Sequence, residues 1–182
     1  MKLAEFWEHI RLSKRKDSDA HAERLQARLA KRKPEEILDF GHWWHKMMGK
    51  AYQWKLWGAA YIINGGCSDD GFEYFCRWLI LQGRDVFEAA VKKPDSLAEV
   101  VDPDEEVFEC ECYPAMQAWL TATGMKRDEV GYGAYYAAEE ARHPDRPPMP
   151  QLGEGWDFDD DAQMRKRFPR LWALYSREGD DE

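Results

Sequence analysis

A chain of 182 residues is long enough for one core, and 44% hydrophobic residues with nine tryptophans supply apolar surface for folding without a cofactor. The formal net charge of −9 is uneven: residues 1–50 hold 12 Lys and Arg against 8 Asp and Glu, residues 95–182 hold 9 against 22. The acidic half repels phosphate backbones, so no nucleic-acid partner is expected, and no run of 18 apolar residues offers a membrane span.

Helical periodicity recurs along the chain. Leu3, Phe6, Trp7 and Ile10 fall on one side of a helix over residues 3–13. Asp17 or Asp19 caps a second helix through Ala30, with Ala22, Leu25 and Leu29 as its apolar seam. Pro34-Glu35-Glu36 is a first-turn signature, and Ile37, Phe40, Trp44, Met47 and Met48 carry a long third helix toward Trp54. Leu56 to Ile63 is apolar nearly all round, which marks a buried helix, and Asn64-Gly65-Gly66 ends it with residues that tolerate positive φ.

Asp70 stands three residues before Glu73, an acidic variant of a capping box, and Phe72, Phe75, Trp78, Leu79 and Gln82 continue that helix to Gly83. Asp85 restarts the chain, with Val86, Phe87, Ala90 and Val91 turned inward before Pro94, and Asp95-Ser96 opens a short turn that Asp102-Pro103-Asp104 breaks. From Glu105 to Thr123 the positions Val107, Phe108, Cys112, Met116, Trp119 and Leu120 predict a further helix, with Pro114 as a kink or a break. Tyr132, Tyr135 and Tyr136 open a short helix. His143 to Pro150, with four prolines, reads as an extended connector. Trp156 to Asp161, followed by Met164, Phe168, Leu171, Trp172 and Tyr175, predicts a capped helix whose aromatic face docks back on the body.

The fold class expected is all-α: a compact multi-helix orthogonal array with a Pro-rich connector and a docked C-terminal helix. The divisions expected are a helical core over 1–130, a connector over 131–155, the docking helix over 156–177 and a disordered acidic tail over 178–182. Cys67, Cys76, Cys110 and Cys112 are too few to serve as a disulfide framework in a chain this size and are read as reduced thiols. The charged, amphipathic opening lacks a signal-peptide core, so a cytoplasmic location is expected.

The opening FWEHI, the block LWGAAYIINGGCSDDGFEYFCRWLILQGRDVFEAA and the late WDFDDD and FPRLWALY resemble bacterial proteins of the family known as domain of unknown function 4240. The resemblance covers residues 1–125 and, apart from Gly131 to Pro150, which match nothing in the family, extends to Tyr175. It implies a compact, mainly helical cytoplasmic domain and brings no catalytic residue, cofactor or activity with it.

The candidate site is the corner between the fourth and fifth helical patterns, with Asn64, Cys67, Ser68, Asp69, Asp70 and Glu73. A helix N-terminus beside two glycines can hold an anion or the polar end of a ligand, although neighbouring carboxylates disfavour phosphate. The simpler reading is that Asp69 or Asp70 caps the helix while Asn64 stops the one before it. Cys67 as a nucleophile faces opposed influences, a helix N-terminus lowering its pKa and two carboxylates raising it. Asp39 with His42 and His45, Glu140 with His143, and Cys110 with Cys112 lack diagnostic metal-ligand spacing, so no metal site is assigned. Glu109 and Glu111 cannot share a helical face at spacing two, which argues against an acid–base pair.

Trp43 and Trp44 point about 100° apart on a helix, so one of them, Trp43, is expected at the surface beside His42 as an anchor for a partner. Trp57 is a candidate to stack on a planar ligand at the corner. These residues lead to a non-enzymatic helical binding protein that meets a protein partner, a basic one, through its acidic half and exposed aromatics. The alternative is a small-ligand sensor or enzyme with a pocket over Gly66 to Glu73. No catalytic residue, cofactor or oligomeric state is assigned.

Overall fold

Ten α-helices, one 3-10 helix and no strand form among the residues that the computed structural model describes, 1–104 and 108–176. The protein is all-α, as its periodicity predicts. Val107 and the acidic tail over 178–182 lie outside the described residues.

The contacts divide into two compact units, Met1–Gly49 with Glu111–Pro148 and Lys50–Cys110 with Met149–Glu182. In the first unit, α1 (Leu3–Ser13) and α2 (Ser18–Leu29) pack on each other, and α2 also packs on α7 (Pro114–Thr123). Asp17 is the cap of α2, accepting from Ala20 N at 2.7 Å, so Asp19 falls inside the first turn instead. Phe6 of α1 meets Trp7 at 4.9 Å and Phe40 of α3 (Pro34–Ala51) at 4.7 Å, ring centre to ring centre. His21 is buried with its Nε2 3.0 Å from the Ile10 carbonyl, which holds α2 against α1.

Beyond Gly131 the weak pattern folds as a full helix, α8 (Glu129–Arg142), which packs on α7. Its Ala- and Gly-rich outer face explains the faint periodicity: exposed Gly133 and Ala137 are neither polar nor core. A side chain at Gly131 would collide with the Lys126 carbonyl, so only glycine admits the chain past that first turn, where Asp128 accepts from its N–H. The expected connector therefore begins in a helix, and only residues 143–155 carry no helix.

In the second unit, α4 (Trp54–Ile63) buries Leu56, Gly58, Ala59, Ala60 and Ile63 and touches α5 (Asp69–Leu81), the 3-10 helix Pro94–Glu99 and α10 (Pro169–Tyr175). Gly65 at φ 63° and Gly66 at φ 128° take the left-handed turn expected of them. After α6 (Arg84–Lys92), the 3-10 helix presents buried Asp95, whose Oδ1 accepts from the N–H of Arg170 and of Leu171 and so caps α10 from another element.

Two expected helices differ. The one placed over Glu105 to Thr123 begins only at Pro114, which sits at the first position of α7 where its missing N–H costs nothing. Before it, Phe108, Cys110 and Cys112 are buried while Glu109 and Glu111 are not, the period of two of an extended segment misread as helical. The C-terminal helix is two, α9 (Asp161–Arg167) and α10, separated at Phe168 because Pro169 disfavours helix in the residue before it.

Candidate functional site

The corner closes on itself. Ser68, not Asp69 or Asp70, is the cap of α5: its Oγ accepts from Gly71 N at 3.1 Å, while Asp69 and Asp70 occupy the first turn and point to solvent. Ser68 wins because it comes earlier in the chain, at an extended φ and ψ, and places both aspartates where the helix dipole favours negative charge. Glu73 reaches no cap. Its Oε2 accepts from Arg77 at 2.9 Å, one helical turn on.

Asn64 is the last residue of its turn, as expected, and its Oδ1 also accepts from Phe108 N at 3.0 Å, tying the extended segment to the end of α4. Trp57 donates from Nε1 to the Cys67 carbonyl at 2.9 Å and stacks on Phe72 at 4.9 Å and on Trp54 at 5.3 Å. Its indole thus holds the corner down on the core.

The Cys67 thiol is pushed up to about 12 by burial and by the nearby Glu109 carboxylate. Its proton is therefore held more tightly than on an ordinary cysteine, which disfavours the thiolate form. Glu109 is itself raised by burial, and its Oε1 lies 2.9 Å from where a side chain at Gly71 would begin, beside the Ser68 hydroxyl. Gly71 is what lets that carboxylate approach the first turn of α5. Glu109 and Glu111 lie in an extended segment, not in a helix, so helical spacing does not set their relative positions.

In the first unit, Trp43 is half-buried, donating from Nε1 to the Met1 carbonyl at 3.1 Å, with the Lys46 ammonium 4.9 Å from its ring centre. Asp39 pairs with Arg142 at 2.7 Å and with His143 at 3.1 Å. Burial pushes the Asp39 carboxyl upward, but its bonds to Arg142 and the terminal ammonium prevail and hold it at about 2. His42 stacks on His143 at 4.2 Å, and burial, then His143, Lys46 and His45, bring it down to about 4. His45 turns away to the Pro147 carbonyl at 2.7 Å. Among the described residues no three His, Cys, Asp or Glu side chains converge as metal ligands.

The second unit holds a cleft of about 430 Å³ that none of the expected site residues lines. Tyr61 and Gly65 at the end of α4 form one wall, Phe158 and Asp159 from the strap before α9 a second, and Trp172 and Tyr175 of α10 a third. The strap is anchored by shape. Gly58 leaves the space that Trp156 and Phe168 fill, and Gly155 lies flush on Trp54, whose Nε1 donates to the Gly153 carbonyl at 3.0 Å. Asp160 caps α9 through Gln163 N, and the Tyr61 hydroxyl donates to Asp159 Oδ1 at 2.6 Å, a bond that raises the tyrosine pKa. The alternation of acid and ring in Trp156-Asp157-Phe158-Asp159 is the signal that could have pointed here, with rings going under and acids staying out.

The fold and these surfaces describe an all-α protein with acidic and aromatic groups at its surface and, among the described residues, no helix long and apolar enough to cross a membrane. The sequence pattern of the family described as protein of unknown function (DUF4240) matches residues 1–122, and the chain belongs to that family. No curated protein matches the chain, and no solved structure does.

Proposed function

We propose that the chain is a non-enzymatic helical binding protein whose acidic, aromatic-bearing surface engages a basic protein partner. The observation that carries this reading is the contrast within one unit. At the corner the thiol is held protonated and Trp57, Asn64 and Ser68 are taken up by neighbouring groups, whereas the cleft presents rings and carboxylates toward open space. Rings with polar edges, backed by a rigid scaffold, are the groups that dominate protein interfaces. Asp69 and Asp70 add exposed negative charge on the same unit, which speeds encounter with a basic surface.

The test is capture from native lysate on the immobilised full chain, washed in graded salt. The expected result is one basic protein retained at stoichiometric yield and released as salt rises. Retention of no partner at low salt counts against the reading.

A small-ligand sensor is the second reading, favoured by the cleft's volume, which lies within the range of small-molecule pockets. A metabolite panel read by thermal shift separates the two, since a ligand at a hundredfold its dissociation constant adds about 2.7 kcal/mol of stability. No shift across a millimolar panel disfavours the sensor.

A further inference from the structure

We infer that the cleft between α4, the strap and α10 receives an arginine side chain of the basic partner; this rests on the binding reading above and assigns its anchor point. Among the described residues that line the cleft, only Asp159 and Asp161 are charged, and both are acids. Asp159 and Asp161 are exposed while Tyr61, Phe158, Trp172 and Tyr175 are half-buried, so a guest meets negative charge at the rim and rings within. A planar cation on an alkyl stem satisfies both: the guanidinium pairs with carboxylate and stacks on a ring, and the stem covers apolar surface.

The unit already uses this chemistry internally. Arg167 lies 4.0 Å from the Trp156 ring centre and Arg165 lies 5.6 Å from that of Trp172. Arg165 already stands by Trp172, so the partner's arginine is placed on the side of the cleft bearing the two aspartates. Tyr61 fixes Asp159 by its 2.6 Å hydrogen bond, so the carboxylate is oriented before a guest arrives. An anion is disfavoured by the same two carboxylates. A purely apolar guest leaves them desolvated without a partner.

The test is calorimetric titration of the full chain with a blocked Gly-Arg-Gly peptide, its lysine and citrulline counterparts, and agmatine as a free cation. The arginine peptide is expected to bind, the lysine peptide more weakly, and the neutral citrulline peptide not at all. Asp159→Asn with Asp161→Asn, and separately Trp172→Ala, are expected to weaken the arginine peptide by about tenfold each, while Glu23→Gln on α2 leaves it unchanged. The double amide variant carries the test if removal of Trp172 impairs folding.

Equal affinity for the citrulline peptide overturns the inference, as does agmatine binding more tightly than the peptide, which makes the cleft a metabolite site. Peptide binding that survives the cleft variants but is lost in Asp69→Asn with Asp70→Asn overturns the anchor point and leaves the binding reading standing. No binding by any cation overturns the inference, and the lysate capture then decides the broader reading by itself.

Discussion

The corner at residues 64–73 and the cleft beside Tyr61 lie at the same end of α4, yet they put similar residues to opposite uses. At the corner, Ser68, Asn64 and Trp57 each bond to main chain near by, so the polar groups hold two helices and an extended segment together. At the cleft, Asp159 is oriented by a tyrosine but still faces the open volume, and the rings that could have formed core line a wall. Polar side chains among aromatics thus indicate a site only where local main-chain bonds leave them available. Sequence proximity to glycines does not decide that.

The corner depends most on Phe72, which is fully buried and stacked under Trp57. Phe72→Ala is expected to lower unfolding stability by about 3–5 kcal/mol, the range for truncating a buried phenylalanine. Chemical denaturation measures it. A loss under about 1 kcal/mol would mean that the corner is not pinned to the core as described.

A second and smaller effect concerns Cys67. With its thiol at about 12, the thiolate fraction at pH 8 falls by roughly a thousandfold against an ordinary cysteine, and greater intrinsic nucleophilicity recovers part of that. Exchange with a small aromatic disulfide should be about thirtyfold slower than for a free thiol, read against Cys67→Ser as background. The linked stability follows the sign of the shift. Unfolded chain loses this proton first, so the contribution is present below the ordinary thiol pKa and is lost as pH rises from about 9 toward about 12. Fast exchange at pH 8 would restore Cys67 as a nucleophile candidate.

The cleft's own scaffold rests on Gly58. A methyl there would meet Trp156 at 2.8 Å and Phe168 at 3.0 Å, so Gly58→Ala should cost about 1–3 kcal/mol and loosen the strap. Limited proteolysis within residues 149–160 is the readout. The corner should keep its protection in the same variant, and loss of both together would join what the comparison separates.

Apolar periods made α1, α2, α3, α5 and α6 legible because a buried residue recurs every third or fourth position, as Phe72, Phe75 and Leu79 do in α5, while α4 was legible as an unbroken apolar run. The extended run from Phe108 to Cys112 was hidden by an accident of spacing. Its buried residues at alternate positions coincide in part with a helical stripe, and only the hydrogen bonds from Cys110 N to Tyr74 and from Phe108 N to Asn64 select the extended form. The cleft was legible only in part: the alternation of acid and ring over Trp156 to Asp159 marks one wall and not the others. Phe158 and Trp172 are 14 residues apart, and what sets them on facing walls is the docking of the strap over Gly58, a contact no local pattern encodes.

The smallest effect is the one that discriminates best between the two ways of reading an acidic helix start. Ser68→Ala removes the hydroxyl that accepts from Gly71 N and should cost about 1 kcal/mol, the usual loss for an N-cap. Asp69→Asn and Asp70→Asn remove only charge from the exposed first turn, where the dipole contributes a few tenths, so each should cost about 0.3–0.5 kcal/mol and less in salt. If the order reverses, with an aspartate costing more than the serine and insensitive to salt, that aspartate is the cap. Its loss would then mimic a binding defect through helix fraying alone. The ranking of these three variants therefore has to be measured before any loss of partner binding at Asp69 or Asp70 is read as contact, because Ser68→Ala supplies the fraying control at the same turn.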